Sequence, residues 1–192
     1  MALITTFYKN LVELSNLKTG IYQSRNKYLF EISSYSLIAY LTPLFLFHSQ
    51  FLLGTIVNSM LITGALYTRG KSLLPLIFLP SLGVLTKGVL FGPLTIYLLF
   101  MLPFIWIGNT ILIFSVKFFH LKHKKHYLKG IFYGSALKAA FLFISALVLY
   151  NLGVIPVAFL TAFGIMQFVT AISAGLIIFP INIWRLKVER SC

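Results

Sequence analysis

The stretch PLTIYLLFMLPFIWIGNTILIFSV, residues 93–116, decides the fold class of this chain. It runs for 24 residues without a charged side chain. About 20 apolar residues are enough to cross the hydrocarbon core of a bilayer as one helix. Its few polar members do not give such a helix a water-facing side, so residues 93–116 predict a transmembrane span.

The remainder of the chain continues this pattern on both sides. Of its 192 residues, 59% are hydrophobic and 10% are charged, whereas soluble domains average about 45–50% apolar and about 25% charged residues. Turn formers or charges separate further apolar runs. The additional predicted spans are 32–48, 51–68, 72–90, 130–150 and 155–184. The expected fold class is therefore an all-α polytopic membrane protein with about six transmembrane helices.

The distribution of basic residues predicts the orientation of these helices. The chain has 16 Lys and Arg residues against 3 Asp and Glu residues. With a cytoplasmic N-terminus, 14 of the 16 fall in inner segments: four before the first span, two after the second, five after the fourth and three after the sixth. Because cytoplasmic loops are enriched in Lys and Arg, both termini are expected in the cytoplasm and the protein in the cell membrane. The basic clusters are expected to contact anionic lipid headgroups and no nucleic acid.

Three segments are expected along the chain. Residues 1–31 form a cytoplasmic amphipathic segment, residues 32–184 the six-helix domain and residues 185–192 a cytoplasmic tail. The N-terminal segment carries apolar residues at helical spacing, which is typical of a short helix lying on the membrane interface, with a partly ordered tail as the alternative. These apolar residues are Ile4, Phe7, Tyr8, Leu11 and Val12.

The acidic residues are few and badly placed for catalysis. Glu13, Glu31 and Glu189 are the only acids, so none lies within the predicted spans. Intramembrane enzymes use carboxylates for metal binding or general-base chemistry. The chain also has no zinc-binding His-Glu pattern and no phosphate-binding loop. We therefore expect no catalytic residues, no metal and no cofactor, and any active transport would depend on partner ATPases.

Two lysines lie within predicted spans, where an ionisable group costs about 2.5–3.5 kcal/mol on insertion scales. Because such a cost indicates a function, both are candidate contacts for an anionic ligand. Lys87 lies near the outer end of the third span and is expected to bind the ligand. Lys138 lies about 12 Å from the inner start of the fifth span, at about 1.5 Å per residue, and near the depth of Asn109. An Asn109–Lys138 hydrogen bond is therefore expected to set helix packing or a gate rather than bind the ligand. For both lysines the alternative is snorkelling towards the headgroups.

Three further residues are candidate ligand contacts. Asn58 and Gln167 lie near mid-depth of the second and sixth spans, where hydrogen bonding between helices is the alternative. Trp106 shares a helix face with Asn109, so its ring could stack on a ligand, with ordinary packing as the alternative.

The glycine- and proline-punctuated stretches of the chain carry a resemblance to a known family. They are Leu79-Pro80-Ser81-Leu82-Gly83 with Gly88 to Pro93, Pro103 to Asn109, and Thr161-Ala162-Phe163-Gly164 through Gln167, Thr170, Ala171 and Gly175. Together with six spans in a short chain, they resemble the S-component of an energy-coupling factor (ECF) transporter. The resemblance is architectural and covers most of residues 32–184. The Ala-x-x-x-Ala pair of that family's first helix is absent, since residues 32–48 contain only Ala39.

The resemblance implies a substrate-binding integral membrane subunit of an importer for a vitamin or similar metabolite. It implies two kinds of partner, a transmembrane coupling subunit and ATPases. The alternative is a structural or assembly subunit of a larger membrane complex without a ligand of its own. An intramembrane enzyme is disfavoured because the spans lack carboxylates.

Overall fold

A computed structural model describes residues 2–19, 24–45, 49–87, 92–124 and 126–190. No strand occurs among these residues. The helices are α1 (Ala2–Asn16), α2 (Arg25–Phe45), α3 (Gln50–Tyr67), α4 (Leu74–Lys87), α5 (Leu98–Val116), α6 (Tyr127–Asn151), α7 (Ala158–Phe163) and α8 (Ile165–Arg190). Short 3-10 segments precede α4 (Gly70–Leu73) and α5 (Gly92–Tyr97), and α5 continues as a π-helical segment, Lys117–Lys122.

Within the described residues, four helical stretches are long and apolar enough to cross a membrane. They are Gln50–Tyr67, Leu94–Lys122, Tyr127–Asn151 and Ala158–Val188. These stretches contain most of the predicted second, fourth, fifth and sixth spans. The all-α class is therefore confirmed, and the four apolar helices indicate a multi-pass membrane protein in contact with lipid.

The first and third predicted spans fall in less typical helices. The first lies in α2, which is 21 residues long but carries Arg25, Lys27 and Glu31 in its first two turns. The third is divided between a 3-10 segment and α4, which has only 14 residues. Each is therefore weaker as a transmembrane candidate than the four apolar stretches.

Helix α3 is the centre of the bundle. It contacts α2, α4, α5 and α8, and every residue from 61 to 67 is buried. Around it, α2 packs along α4, and α5 packs along α6. At Gly83 the backbones of α4 and α2 meet so closely that an added Cβ would lie 2.3 Å from the Tyr40 carbonyl oxygen. Small residues permit this kind of helix contact.

The N-terminal helix packs against one end of this bundle. Glu13 of α1 forms an ion pair with Lys122 at 3.3 Å. The fully buried Lys117 donates hydrogen bonds to the carbonyl oxygens of Leu17 and of Thr68, the latter at 2.9 Å. These contacts bring α1, the end of α3 and the end of α5 together.

A second cluster joins α2 and α8 to the same end. The Arg185 guanidinium donates two hydrogen bonds to the Glu31 carboxylate, at 2.6 and 2.7 Å, and a third to the Tyr35 hydroxyl. Arg185 also lies 4.0 Å from the ring centroid of Tyr67, the last residue of α3. We call this end of the bundle the basic end; it is formed by α1, residues 68–71, residues 117–122, the start of α2 and the end of α8.

Two of the helix boundaries that differ from the sequence predictions are the start of α6 and the end of α8. Helix α6 begins at Tyr127, three residues before the predicted 130, and the buried Tyr127 hydroxyl donates a hydrogen bond to the Gly175 carbonyl oxygen at 3.0 Å. Helix α8 passes through Pro180 and ends at Arg190, so residues 185–190 of the predicted cytoplasmic tail continue this helix. The predicted N-terminal helix is confirmed as α1, with Phe7 and Tyr8 exposed.

Candidate functional site

A cavity of about 80 Å³ lies inside the bundle, between α3, α4, α5, α6, α7 and α8. Its lining extends from Gln50 and Leu98, the first residues of α3 and α5, to the middle of the bundle. The polar lining residues are Gln50, Asn58, Ser81, Asn109, Lys138, Gln167 and Thr170. The others are Leu53, Gly54, Val57, Pro80, Val84, Leu98, Ile105, Ala162, Phe163 and Met166.

The inner end of this cavity is formed by Lys138 of α6 and two asparagines. Lys138 is 2% exposed. Its Nζ donates hydrogen bonds to Asn58 Oδ1 on α3 at 2.7 Å and to Asn109 Oδ1 on α5 at 2.9 Å. The Asn109–Lys138 hydrogen bond expected from the sequence is present, and Asn58 is a second acceptor. Three helices thus meet at one ammonium group.

The orientation of both asparagine amides is fixed by their other hydrogen bonds. Asn58 Nδ2 donates to Thr170 Oγ1 at 3.0 Å, and Asn109 Nδ2 donates to the Ile77 carbonyl oxygen at 3.1 Å. A flipped amide would lose that bond and place its NH₂ donor against the donors of Lys138. Two carbonyl oxygens therefore point at Nζ and stabilise its positive charge.

The three residues lie near the midpoints of their helices. Asn58 is the ninth of 18 residues in α3, Asn109 the twelfth of 19 in α5 and Lys138 the twelfth of 25 in α6. This differs from the expected position of Lys138 and Asn109 near the inner side, away from the ligand. Because α6 begins at Tyr127, Lys138 lies about 16 Å from the helix start at about 1.5 Å per residue. Both residues line the same cavity as Asn58 and Gln167.

No carboxylate reaches Lys138 within the described part of the chain. Glu13 pairs with Lys122, and Glu31 pairs with Arg185, both at the basic end. An ammonium group has three N–H donors, and among the described residues only the two asparagine oxygens accept from it. The third N–H is therefore available to an occupant of the cavity, which Lys138 lines. The chemistry of this arrangement favours a hydrogen-bond acceptor with negative charge.

The other predicted ligand residues fall in different places. Gln167 lines the cavity, and no described residue hydrogen-bonds its side-chain amide. Trp106 does not line the cavity: its Nε1 donates to Ser81 Oγ at 2.8 Å, and its ring packs edge-on against Phe78. Trp106 thus holds α5 against α4 rather than facing a ligand. Lys87 is the last residue of α4, and its side chain lies outside the described residues.

Two polar cavity residues that the sequence analysis did not select take part in hydrogen bonds between helices. Thr170 accepts the Asn58 hydrogen bond, and Ser81 accepts the one from Trp106. Thr170 follows Gln167 by three positions, so the two share a helix face, and this spacing was the available signal. Ser81 has no comparable signal, because its role depends on which face of α4 meets α5.

Comparisons with protein-family models, with curated proteins and with solved structures find nothing that matches this chain.

Proposed function

We propose that this protein is the substrate-binding membrane subunit of a small-molecule importer energised by partner ATPases. The observation that carries the proposal is the cavity of about 80 Å³ that ends on a buried lysine. Binding sites are typically concave and mostly apolar, with a few polar groups that orient the ligand. A charged residue inside a transmembrane bundle commonly marks a substrate pathway.

The proposed topology has six spans in the cell membrane, with both termini in the cytoplasm. The basic end supports it, because ion pairs and hydrogen bonds gather α1, residues 68–71, residues 117–122 and the end of α8 at one end of the bundle. Lysine- and arginine-rich segments remain on the cytoplasmic side. The first residues of α3 and α5 would then face outwards, so the cavity would receive its ligand from outside the cell.

The partners in this proposal are a transmembrane coupling subunit and ATPases, as in the ECF transporters that the sequence resembles. The chain has no nucleotide-binding loop of its own. The basic end would face the cytoplasm, where such ATPases act.

A structural or assembly subunit is the second candidate. The observation that favours it is the Lys138 hydrogen-bond network, which joins α3, α5 and α6 through protein side chains. Under this alternative the protein would have partners but no bound small molecule.

Purification separates the two candidates. We expect the protein, isolated in mild detergent from its own membrane, to bring with it a small molecule detectable by mass spectrometry and subunits with ATPase activity. If the purified protein carries no small molecule but has a stable partner that lacks ATPase activity, the importer is contradicted and the structural role is supported.

A further inference from the structure

We propose that the ligand of this cavity is a small carboxylate whose anionic group binds the Nζ of Lys138. This inference rests on the proposed function, since it names the class of substrate that the importer subunit would take. It is argued from the charge, the size and the walls of the cavity.

The charge argument begins with the unmatched ammonium. Lys138 is 2% exposed and has two neutral amide oxygens as partners. Amide dipoles stabilise a cation but do not neutralise its charge. Burial of an uncompensated charge in a low-dielectric interior is unfavourable. An anion that accepts the third N–H of Lys138 would supply the missing negative charge and form a short, charge-assisted hydrogen bond.

The size argument limits the anion to a few atoms beyond its head group. A cavity of 150 Å³ holds benzene, and the present one measures about 80 Å³. At about half that volume, the cavity favours an acid smaller than benzene, such as acetate or propionate. A long-chain fatty acid would have to leave most of its chain outside the cavity.

The walls of the cavity favour a carboxylate with an apolar body over an inorganic anion. Between Lys138 and the first residues of α3 and α5, the lining is largely aliphatic or aromatic, with Val57, Ile105 and Phe163 among its members. Phosphate would place unpaired oxygens against these side chains, which is costly. A methyl or ethyl group fits them, while Gln167 offers an amide near the same space.

Equilibrium dialysis of the purified full-length protein with radiolabelled propionate tests the proposal. Propionamide, of nearly the same shape but neutral, is the matched ligand control. We expect Lys138→Met to weaken propionate binding by about tenfold to one hundredfold, the range for a hydrogen bond to a charged group. The exposed Lys129 supplies the matched protein control, and Lys129→Met should bind as the wild type does.

A second variant keeps the test valid if Lys138→Met does not fold. Ala162 is buried and lines the cavity, and its methyl side chain takes no part in the hydrogen bonds of Lys138. Ala162→Leu should fill the space and weaken propionate binding while the Lys138 network remains. Chloride, phosphate and palmitate as competitors distinguish a small carboxylate from an inorganic anion and from a lipid-derived acid.

The outcomes separate this inference from the proposed function. Propionamide binding as tightly as propionate, equal binding by Lys138→Met, or stronger competition by chloride, phosphate or palmitate would overturn the small-carboxylate assignment. If the protein also co-purifies with a neutral metabolite, the importer proposal survives that result. Absence of any bound small molecule, acidic or neutral, would contradict both.

Discussion

Replacing Asn109 by leucine is expected to destabilise the protein by about 2–3 kcal/mol, the upper range for a hydrogen bond to a charged group. Lys138 would retain only Asn58 as an acceptor, in an interior without a described carboxylate. Breaking one partner of a buried charge is costly because the charge is left uncompensated. Unfolding in mild detergent, followed by circular dichroism, measures the loss. Thr110→Val on the same helix is the control, since among the described residues the Thr110 hydroxyl bonds only the Trp106 carbonyl oxygen of its own helix.

The cause of this loss can be isolated with a double variant. If the ammonium is the reason, Lys138→Met should recover much of the stability of Asn109→Leu, because an apolar side chain needs no acceptor. Replacement of a buried charge network by apolar residues is often neutral or stabilising. A double variant as unstable as the summed effects of the single variants would show that the two side chains are not coupled, and would contradict the described network.

Exchange of Glu31 for glutamine is expected to lower the free energy of unfolding by about 2 kcal/mol, within the range for hydrogen bonds to charged groups. Glu31 accepts two hydrogen bonds from Arg185, and the two side chains are only 16% and 19% exposed. The substitution leaves the guanidinium beside the Tyr67 ring without its counter-ion. Because α2 and α8 are held together there, the thermal unfolding temperature should fall.

The matched control is Glu13→Gln. Glu13 pairs with Lys122 at 3.3 Å, but these side chains are 56% and 34% exposed. Solvent-exposed ion pairs contribute only about 0–1 kcal/mol, so Glu13→Gln should leave stability nearly unchanged. Equal effects of the two substitutions would contradict the special role assigned to the Glu31–Arg185 pair.

The positions of the apolar helices along the chain could be predicted from the sequence. The side of each helix that faces the interior of the bundle could not. Long apolar runs identify α3, α5, α6 and α8 because a bilayer imposes a minimum length. In α5 nearly every residue is apolar, so there is no polar stripe to show which side faces the bundle. The inward direction is decided by packing.

The residues that form the site could likewise be predicted only in part. An Asn109–Lys138 contact could be anticipated because α5 and α6 are consecutive helices of similar depth. The contribution of Asn58 could not, since it depends on α3 lying at the centre of the bundle. Lys138 and Asn109 were placed away from the ligand because the sequence does not show that one cavity reaches from the first residues of α3 and α5 to the middle of the bundle. Trp106 was predicted to share a face with Asn109, and both bond α4, but of the two only Asn109 lines the cavity.

Cysteine accessibility in right-side-out membrane vesicles tests most directly the claim that this cavity opens outwards. The chain has one cysteine, Cys192, so Cys192→Ser gives a background for single cysteines at Gln50, the cavity entrance, and at Lys124, beyond α5. With a membrane-impermeant thiol reagent, Gln50→Cys should react in sealed vesicles, and Lys124→Cys only after permeabilisation. Labelling of Lys124→Cys from outside, with Gln50→Cys protected until permeabilisation, would contradict the account.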